Sequence, residues 1–287
     1  EIYTLSLHDA LPIFGRYRGS FEVGKTRLTV HRTGGELPAV VLLHGLTDSG
    51  MLWSSLVAAL AFSYDVVFPD MRGHGASDKA ADNDYSIAAM AGDAAALIRE
   101  YELDRPVVIG HSMGAAVTAY LGAEYRELTR GVVLIDPPWF DPALVTEERI
   151  ADGIDSFRSD LTAYHAASYE DLIAEIRARN PNWAEEDYRA WAKAKQQATF
   201  ESLAILPELV KDWDRITAKM TLPALLMTGN PELNGIVTPE IARGLLAAHP
   251  NWSWYYSPIS GHSVSRDDRA GSIKAIKTFL TNRFLED

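Results

Sequence analysis

Short, continuous apolar runs recur along the chain and are separated by amphipathic stretches. Ala39–Leu43 and Gly131–Ile135 are too short for helices and show no polar alternation, which is typical of strands covered on both faces of a parallel sheet. Further strands are predicted at 65–68, 106–109, 224–228 and 252–256, and helices at 51–60, 85–101, 115–125, 239–249 and 272–284. This alternation predicts an α/β protein with a doubly wound, mostly parallel sheet.

Two other stretches complete the predicted organisation. The alternating residues 21–23 and 27–31 flank Gly24 and predict an antiparallel hairpin. Residues 140–219 hold no buried-type strand, and amphipathic spacing predicts helices at 162–179, 185–200 and 203–213. We therefore expect a helical cap over residues 139–219, inserted into a core of residues 18–138 and 220–287. A separate helical domain beside the core remains the alternative.

Residues 1–17 are expected to stand apart from this core. The first 13 residues resemble a sequencing-library adapter translated in frame, as found at the ends of fragmentary metagenomic genes. A natural flexible tail is the alternative. Both interpretations predict a dispensable segment.

Composition narrows the classes of function. The chain has 47% hydrophobic and 23% charged residues, which is ordinary for a globular protein. It has no cysteine, which fits a reducing, cytoplasmic setting, and a formal charge of −12, which disfavours nucleic acid and anionic membranes as partners. No apolar run is long enough for a membrane span. We expect a monomer or homodimer that acts on a small molecule.

A glycine-bracketed serine is the clearest chemical signal. Gly110-His111-Ser112-Met113-Gly114 lies between a buried-type strand and a helix, the setting of a strained turn that exposes a serine hydroxyl. The helix N-terminus beneath it favours negative charge. A serine needs a base, and among eight histidines His262 is best placed, because it follows the last predicted strand. Neither a metal-binding nor a phosphate-binding or dinucleotide-binding motif is evident, so we expect no metal and no cofactor.

Four motifs in this order resemble the α/β-hydrolase superfamily. They are His44-Gly45-Leu46, the stretch Asp70–Ser77, the serine motif at 110–114, and Gly261-His262. The resemblance implies that Ser112 attacks a carbonyl, and that water activated by His262 releases the acyl-enzyme. It also implies an oxyanion hole formed by the backbone N–H groups of Leu46 and Met113. His44 and His74 are interpreted as histidines that fix loops.

Two carboxylates compete for the role of the acid that orients His262. Asp136 closes the strand after the serine, and Glu232 follows the next strand, where most superfamily members carry their acid. Either could hold the imidazole in one tautomer. We favour Glu232, because an aspartate closing the earlier strand also occurs in members that do not use it.

Aromatic residues suggest an apolar substrate site. Met51, Trp53 and Trp139 stand near predicted sheet-edge loops and are candidates for the pocket, whereas Trp183 and Trp191 are expected to be packing residues. The combined expectation is a serine esterase or lactonase for a moderately hydrophobic small molecule. The alternatives are carbon–carbon, amide or perhydrolase chemistry with the same triad, and a small-molecule receptor with slow hydrolysis.

Overall fold

An eight-stranded sheet organises residues 17–284, the part of the chain that the structure, a computed structural model, describes. The sheet order is β1-β2-β4-β3-β5-β6-β7-β8, and every pair from β4 to β8 in that order is parallel. The strands are β1 Tyr17–Val23, β2 Thr26–Arg32, β3 Ala39–Leu43, β4 Asp65–Pro69, β5 Val107–His111, β6 Gly131–Ile135, β7 Ala224–Thr228 and β8 Trp252–Tyr256.

Helices cover both faces of this sheet. Val40 and Leu42 pack with one set of helices and Val41 and Leu43 with the other, because successive strand residues point to opposite faces. The helices outside the segment between β6 and β7 are α1 Ser54–Leu60, α2 Ile87–Glu100, α3 Met113–Glu124, α9 Pro239–Ala248, α10 Val264–Asp267 and α11 Arg269–Phe284. Helices α1 and α11 lie on the first face, and α2 and α3 on the second. The predicted doubly wound α/β class is confirmed.

The chain reverses its direction across the sheet at β3. From β3 it crosses to β4 on one side, and then returns to form β5 on the other side. The loops after β3 and β5 therefore diverge, and a crevice opens at the carboxyl ends of these strands. The crevice is where the motif residues that follow β3, β5 and β6 meet.

Between β6 and β7 the described chain is helical. The segment from α4 to α8, residues 147–217, is called the helical insertion below. Its helices are α4 Glu147–Ala166, α5 Tyr169–Arg179, α6 Glu185–Gln197, α7 Leu206–Leu209 and α8 Trp213–Thr217. Five 3₁₀ helices in the described chain are Gly50–Trp53, Arg126–Leu128, Pro142–Leu144, Phe200–Ile205 and Pro231–Leu233.

The helix predicted at 162–179 is wrong in its bounds. The predicted range covers the end of one helix and all of the next. The 20-residue helix α4 ends at Ala166, and α5 begins at Tyr169. The Ser168 side chain caps α5 by accepting a hydrogen bond from the Asp171 backbone N–H. Only Leu161 of α4 is buried, although Ile150, Ile154 and Phe157 recur at helical spacing ahead of it, so the sequence pattern did carry a signal that the prediction did not use.

The predicted tail ends one residue too late. Tyr17 already belongs to β1, where it pairs with Arg32. Residues 1–16 lie outside the described residues, and the dispensability of the tail stays a prediction. No helix within residues 17–284 combines the length and apolar character that crossing a membrane requires.

Candidate active site

Ser112 stands at a strained turn between β5 and α3. Its φ of 52° and ψ of −119° are unfavourable for a residue with a side chain. The turn is possible because a Cβ on Gly110 would lie 2.1 Å from the Gly114 carbonyl oxygen, and a Cβ on Gly114 would lie 2.1 Å from the Leu43 carbonyl oxygen. The two glycines of the motif therefore allow the backbone contacts that hold the serine at the sheet edge.

The turn after β3 passes close to this serine. A Cβ on Gly45 would lie 3.3 Å from the Ser112 Cβ and 3.2 Å from the His111 Nδ1. The next residue, Leu46, lines the cavities that contain Ser112. Met113 is the first residue of α3, where a backbone N–H has no acceptor within the helix. The two residues predicted to form the oxyanion hole, Leu46 and Met113, therefore lie on two segments that meet at Ser112.

His262 is held by Asp136. Its Nδ1 lies 2.7 Å from the Asp136 Oδ2, and the carboxylate is fully buried. Asp136 also accepts hydrogen bonds from the backbone N–H groups of Ile236 at 2.9 Å and Val237 at 3.2 Å. The His111 Nε2 lies 3.0 Å from the His262 carbonyl oxygen, which fixes the backbone of this loop as well. The ring orientation of His262 is therefore set by contacts on both its side chain and its main chain.

The preference for Glu232 as the partner of His262 is wrong. Glu232 is exposed in the 3₁₀ turn Pro231–Leu233, which the Asn230 side chain caps by accepting the Glu232 backbone N–H. The same loop reaches the site farther along the chain, where it supplies the N–H donors of Ile236 and Val237 to Asp136. The loop after β7 thus contributes backbone donors to the acid, and the carboxylate itself comes from the end of β6.

Three loops at this edge of the sheet contain a residue with strained backbone. Positive φ values occur at Thr47, Ser112 and Asp136, which follow β3, β5 and β6. Such conformations cost free energy and persist where the surrounding structure enforces them, often at functional sites. The three loops are therefore held in place by the packed sheet.

Two further histidines fix the loops around the site. The His44 Nε2 accepts a hydrogen bond from the Met71 backbone N–H at 2.9 Å, so its Nδ1 carries the proton that is donated to the Gly45 carbonyl. The His74 Nδ1 lies 2.9 Å from the Arg72 carbonyl oxygen. Burial lowers the pKa of His44, and burial together with repulsion from His44 lowers the pKa of His74 to about 3. Both rings are neutral at pH 7, as loop-fixing residues can be.

Two chambers meet at Ser112 and His262, and Leu46 and Phe157 line both of them. The larger, of about 440 Å³, is called the apolar chamber. Its remaining lining is Pro138, Phe140, Leu144, Val145, Arg149, Ile150, Gly153, Leu206, Leu209, Val210 and Ile236. The smaller, of about 270 Å³, is called the polar chamber. Its remaining lining is Gly45, Thr47, Asp48, His111, Asp160, Leu161, Tyr164, Ile176, Arg179, Asn180, Trp183, Trp191, Lys195, Ser263 and Arg266.

A buried ion pair joins the helical insertion to the sheet in the polar chamber. The Lys195 Nζ donates to the Asp48 Oδ1 at 2.8 Å, to the Thr47 Oγ1 at 2.7 Å and to the Thr47 carbonyl at 3.2 Å. Burial lowers the pKa of Lys195, and Asp48 opposes this shift. Burial would raise the pKa of Asp48, but attraction to Lys195 and Arg266 outweighs it and lowers that pKa. Asp48 is therefore charged at pH 7, and its charge favours the protonated form of Lys195.

The three predicted pocket residues do not line either chamber. Trp139 is buried against Trp213, with ring centroids 5.6 Å apart, and Trp53 is buried between α1 and the sheet. Met51 packs at the edge of the same cluster as Trp53. Large apolar side chains beside the strand ends fill the core, whereas Trp183 and Trp191 of the insertion line the polar chamber. The predictions for Trp139, Met51 and Trp53 are corrected accordingly, as is the expectation that Trp183 and Trp191 only pack.

Sequence reasoning missed the charged residues of the polar chamber. Arg266 stands in the short helix that follows His262, so its position near the predicted base was a signal that could have been used. Asp48 follows the His44-Gly45-Leu46 motif and offered a similar signal. Lys195 gave none, because one lysine on an amphipathic helix is normally solvent-exposed.

Comparisons with known proteins agree with this architecture. The family model for the alpha/beta hydrolase fold matches residues 38–230. The solved structure of an E-2-(acetamidomethylene)succinate hydrolase is similar with a TM-score of 0.79 at 23% identity, over 92% of this chain and 99% of that one. An enol-lactonase from Burkholderia xenovorans is similar with a TM-score of 0.65 at 20% identity, over 92% and 100%. At these identities the likeness shows the fold.

Curated relatives fall into two groups by coverage. An uncharacterized protein of Mycobacterium tuberculosis is 35% identical over 104 residues, and the match covers 36% of this chain but only 30% of that protein. A 2-(acetamidomethylene)succinate hydrolase of Mesorhizobium japonicum is 26% identical over 90% of this chain and 93% of its own length. An N-formylmaleamate deformylase of Pseudomonas putida is 26% identical over 87% and 91%. The two relatives that match over most of this chain are thus a hydrolase and a deformylase.

Proposed function

Because the chain belongs to the alpha/beta hydrolase fold family, we propose that it is a serine hydrolase that cleaves a carboxylic ester or lactone of a moderately hydrophobic small molecule. The observation that carries the proposal is the 2.7 Å contact between the His262 Nδ1 and the Asp136 Oδ2, together with the two chambers that His262 and Ser112 both line. This order of hydroxyl, imidazole and carboxylate is the one that makes a serine nucleophilic.

The proposed reaction has two acyl-transfer steps. The Ser112 Oγ attacks the carbonyl carbon while the His262 Nε2 takes the hydroxyl proton, and His262 then gives that proton to the departing alcohol oxygen. In the second step His262 removes a proton from water, the hydroxide attacks the acyl-enzyme, and the Ser112 oxygen leaves with the proton. The Leu46 and Met113 N–H groups would stabilise the negative oxygen that develops in each step.

Asp136 is assigned the role of orienting the base. A buried carboxylate that accepts the Nδ1–H keeps the proton off Nε2, which must be free to accept the serine proton. Two backbone N–H donors stabilise the charge of Asp136 in its buried setting. The carboxylate also favours the imidazolium that forms during each transfer.

The chambers support a moderately hydrophobic substrate. The apolar chamber has room for a small organic group beside Ser112, and its lining is almost entirely hydrocarbon. Phe140, Leu144 and Ile150 supply much of this lining, from the segment predicted to be a cap. We propose accordingly that residues 139–219 act as a cap that shapes the substrate site.

A second candidate reaction is hydrolysis of an N-acyl bond. The two relatives that match along most of the chain bear names with an acetamido and an N-formyl group. The proposed triad would act on such a bond by the same steps, with nitrogen as the leaving atom. A panel of matched esters and amides distinguishes the two candidates.

A serine-directed phosphonate tests the proposal directly. We expect the intact mass to increase by one phosphonyl adduct in the wild-type protein and not in Ser112→Ala, and ester turnover to be lost in the same variant. Folding of Ser112→Ala is checked by its circular dichroism spectrum. Labelling at another residue, or equal turnover by the variant, would contradict the assignment of Ser112. Stoichiometric binding of substrates without turnover would favour the receptor alternative.

A further inference from the structure

The cationic wall of the polar chamber centres on Arg266, whose charge is incompletely satisfied. Its side chain is only 9% exposed, and its Nε has no hydrogen-bond partner among residues 17–284. One Nη2 contact reaches the Ser263 Oγ at 3.2 Å, and the nearest carboxylate oxygen, on Asp48, lies 3.8 Å away. A buried guanidinium with an unused donor loses solvation that the protein does not replace.

The surrounding acidic side chains do not provide a hydrogen-bond acceptor for the Arg266 guanidinium. Asp48 already accepts a hydrogen bond from Lys195 at 2.8 Å, and Asp187 accepts one from the Ser55 hydroxyl at 3.1 Å. The Arg266 guanidinium stacks over the Trp183 ring, with its Cζ 4.8 Å from the ring centroid. Stacking on an aromatic face leaves the N–H groups of a guanidinium, which lie in its plane, free for acceptors, and Arg266 lines the polar chamber. The polar chamber has three cationic and two acidic lining residues, so its formal charge favours an anion.

Arg266 is also placed to act on a substrate bound at Ser112. It lies on α10, the short helix that begins just after His262, and it lines the chamber that contains both Ser112 and His262. The apolar chamber opens from the same two residues on the other side of Phe157. A bound ester would therefore extend one arm into each chamber.

We propose that the polar chamber is a carboxylate subsite, and that the substrate carries a carboxylate on the arm that Arg266 binds and an apolar group on the other arm. The inference rests on the proposed hydrolysis at Ser112 and adds the charge and polarity of the two arms. A planar carboxylate matches the fork of N–H donors on a guanidinium and would supply the close anionic partner that Arg266 lacks. Arg266 is thus a specificity-determining residue.

The test compares two esters with six-carbon acyl chains, the para-nitrophenyl monoester of adipic acid and para-nitrophenyl hexanoate. We expect the wild-type kcat/KM to be higher for the adipate monoester. Arg266→Gln should lower kcat/KM for that ester by roughly 10- to 100-fold, mainly through KM, and change that for the hexanoate by less than about 3-fold. Adipate should inhibit hexanoate turnover competitively, with a Ki raised by a similar factor in the variant.

Arg269→Gln is the matched control. Arg269 begins the next helix, is 42% exposed and pairs loosely with Glu186, outside both chambers. It should leave both esters unchanged. If Arg266→Gln does not fold, Arg266→Lys replaces it, and should raise KM for the adipate monoester more than for the hexanoate because an ammonium lacks the planar fork.

Three outcomes would overturn the subsite: a wild-type preference for the hexanoate, equal losses on both esters in Arg266→Gln, or no effect of that change. Failure of the proposed hydrolysis is distinguishable from these. If Ser112 is not labelled and neither ester turns over, adipate binding to Ser112→Ala and to the double variant Ser112→Ala/Arg266→Gln, measured by calorimetry, still tests the site. Binding that is lost with Arg266 supports the subsite, and equal binding overturns it.

Discussion

The strand ends of the sheet and the helical insertion build one cavity in different ways. At the strand ends, Ser112 and Asp136 are fixed by main-chain contacts and strained dihedral angles, directly after strands β5 and β6, which are buried along their whole length. The insertion contributes side chains on helix surfaces, such as Phe157, whose exposed fraction is 37%. The sheet therefore fixes the proposed reacting groups within narrow limits, whereas the insertion forms cavity walls from side chains that can adjust.

This difference indicates a division of labour. Groups that transfer protons need positions accurate to a fraction of an ångström, and buried strand ends provide that accuracy. Groups that select a substrate need shape and charge, and helix side chains can change these without moving the triad. The two regions are joined by the ion pair of Lys195 with Asp48. Variants on each side of that junction test the comparison.

The largest expected effect lies at the strand ends. Asp136→Asn should lower kcat by about 10⁴-fold, because an amide does not hold the reactive tautomer of His262. Glu232→Gln, which alters an exposed carboxylate on the loop after β7, should change kcat by less than about 2-fold. Steady-state kinetics on one ester measures both. Similar losses in the two variants would mean that the chemistry is not confined to the buried strand ends.

An intermediate effect is expected at the junction. Lys195→Met leaves the buried Asp48 without its closest cation and should lower the free energy of unfolding by about 3 kcal/mol, measured by urea denaturation. Lys193→Met, on the exposed face of the same helix, should cost less than about 0.5 kcal/mol. The double variant Asp48→Asn/Lys195→Met should recover part of the loss. Equal costs for the two lysine variants would show that the insertion docks without the pair.

The smallest expected effect concerns a buried histidine after β4. The folded protein holds the pKa of His74 at about 3 against an ordinary value of 6.5, so the unfolded state binds more protons between these values and stability falls as the pH falls. His74 should account for a loss of about 1–2 kcal/mol between pH 6.5 and pH 5.

Variants separate this contribution from the other acid-sensitive groups. His74→Gln should reduce the dependence of the melting temperature on pH in this window, whatever its effect at pH 7.5. His249→Gln removes a half-buried histidine at the end of α9, where burial also lowers the pKa, and it should reduce that dependence by less than His74→Gln does. A pH dependence that His74→Gln does not change would place the acid sensitivity elsewhere in the fold.

Sequence reasoning recovered the parts of the molecule that depend on local pattern. Strands β3, β6, β7 and β8 match the predicted bounds, because each is a continuous apolar or aromatic run between turn residues. Ser112 could be identified from the sequence because its turn requires the two glycines of the motif. Both features are fixed by neighbours in the sequence.

Features that depend on distant contacts were not recoverable. The choice of Asp136 over Glu232 depends on the path of the loop after β7, which turns Glu232 outward and brings the Ile236 and Val237 N–H groups to Asp136. Lys195 is buried because Asp48 and Thr47, far away in the sequence, receive its three hydrogen bonds.

The backbone conformation of Ser112 places thermal stability and catalytic activity in conflict. At a φ of 52° and a ψ of −119°, a glycine would have a lower conformational energy than a serine. The single substitution Ser112→Gly would relax the turn and would also remove the proposed nucleophile. Screens that enrich this protein for heat resistance alone should therefore accumulate inactive sequences at position 112, and a screen that also scores hydrolysis is needed to keep the serine.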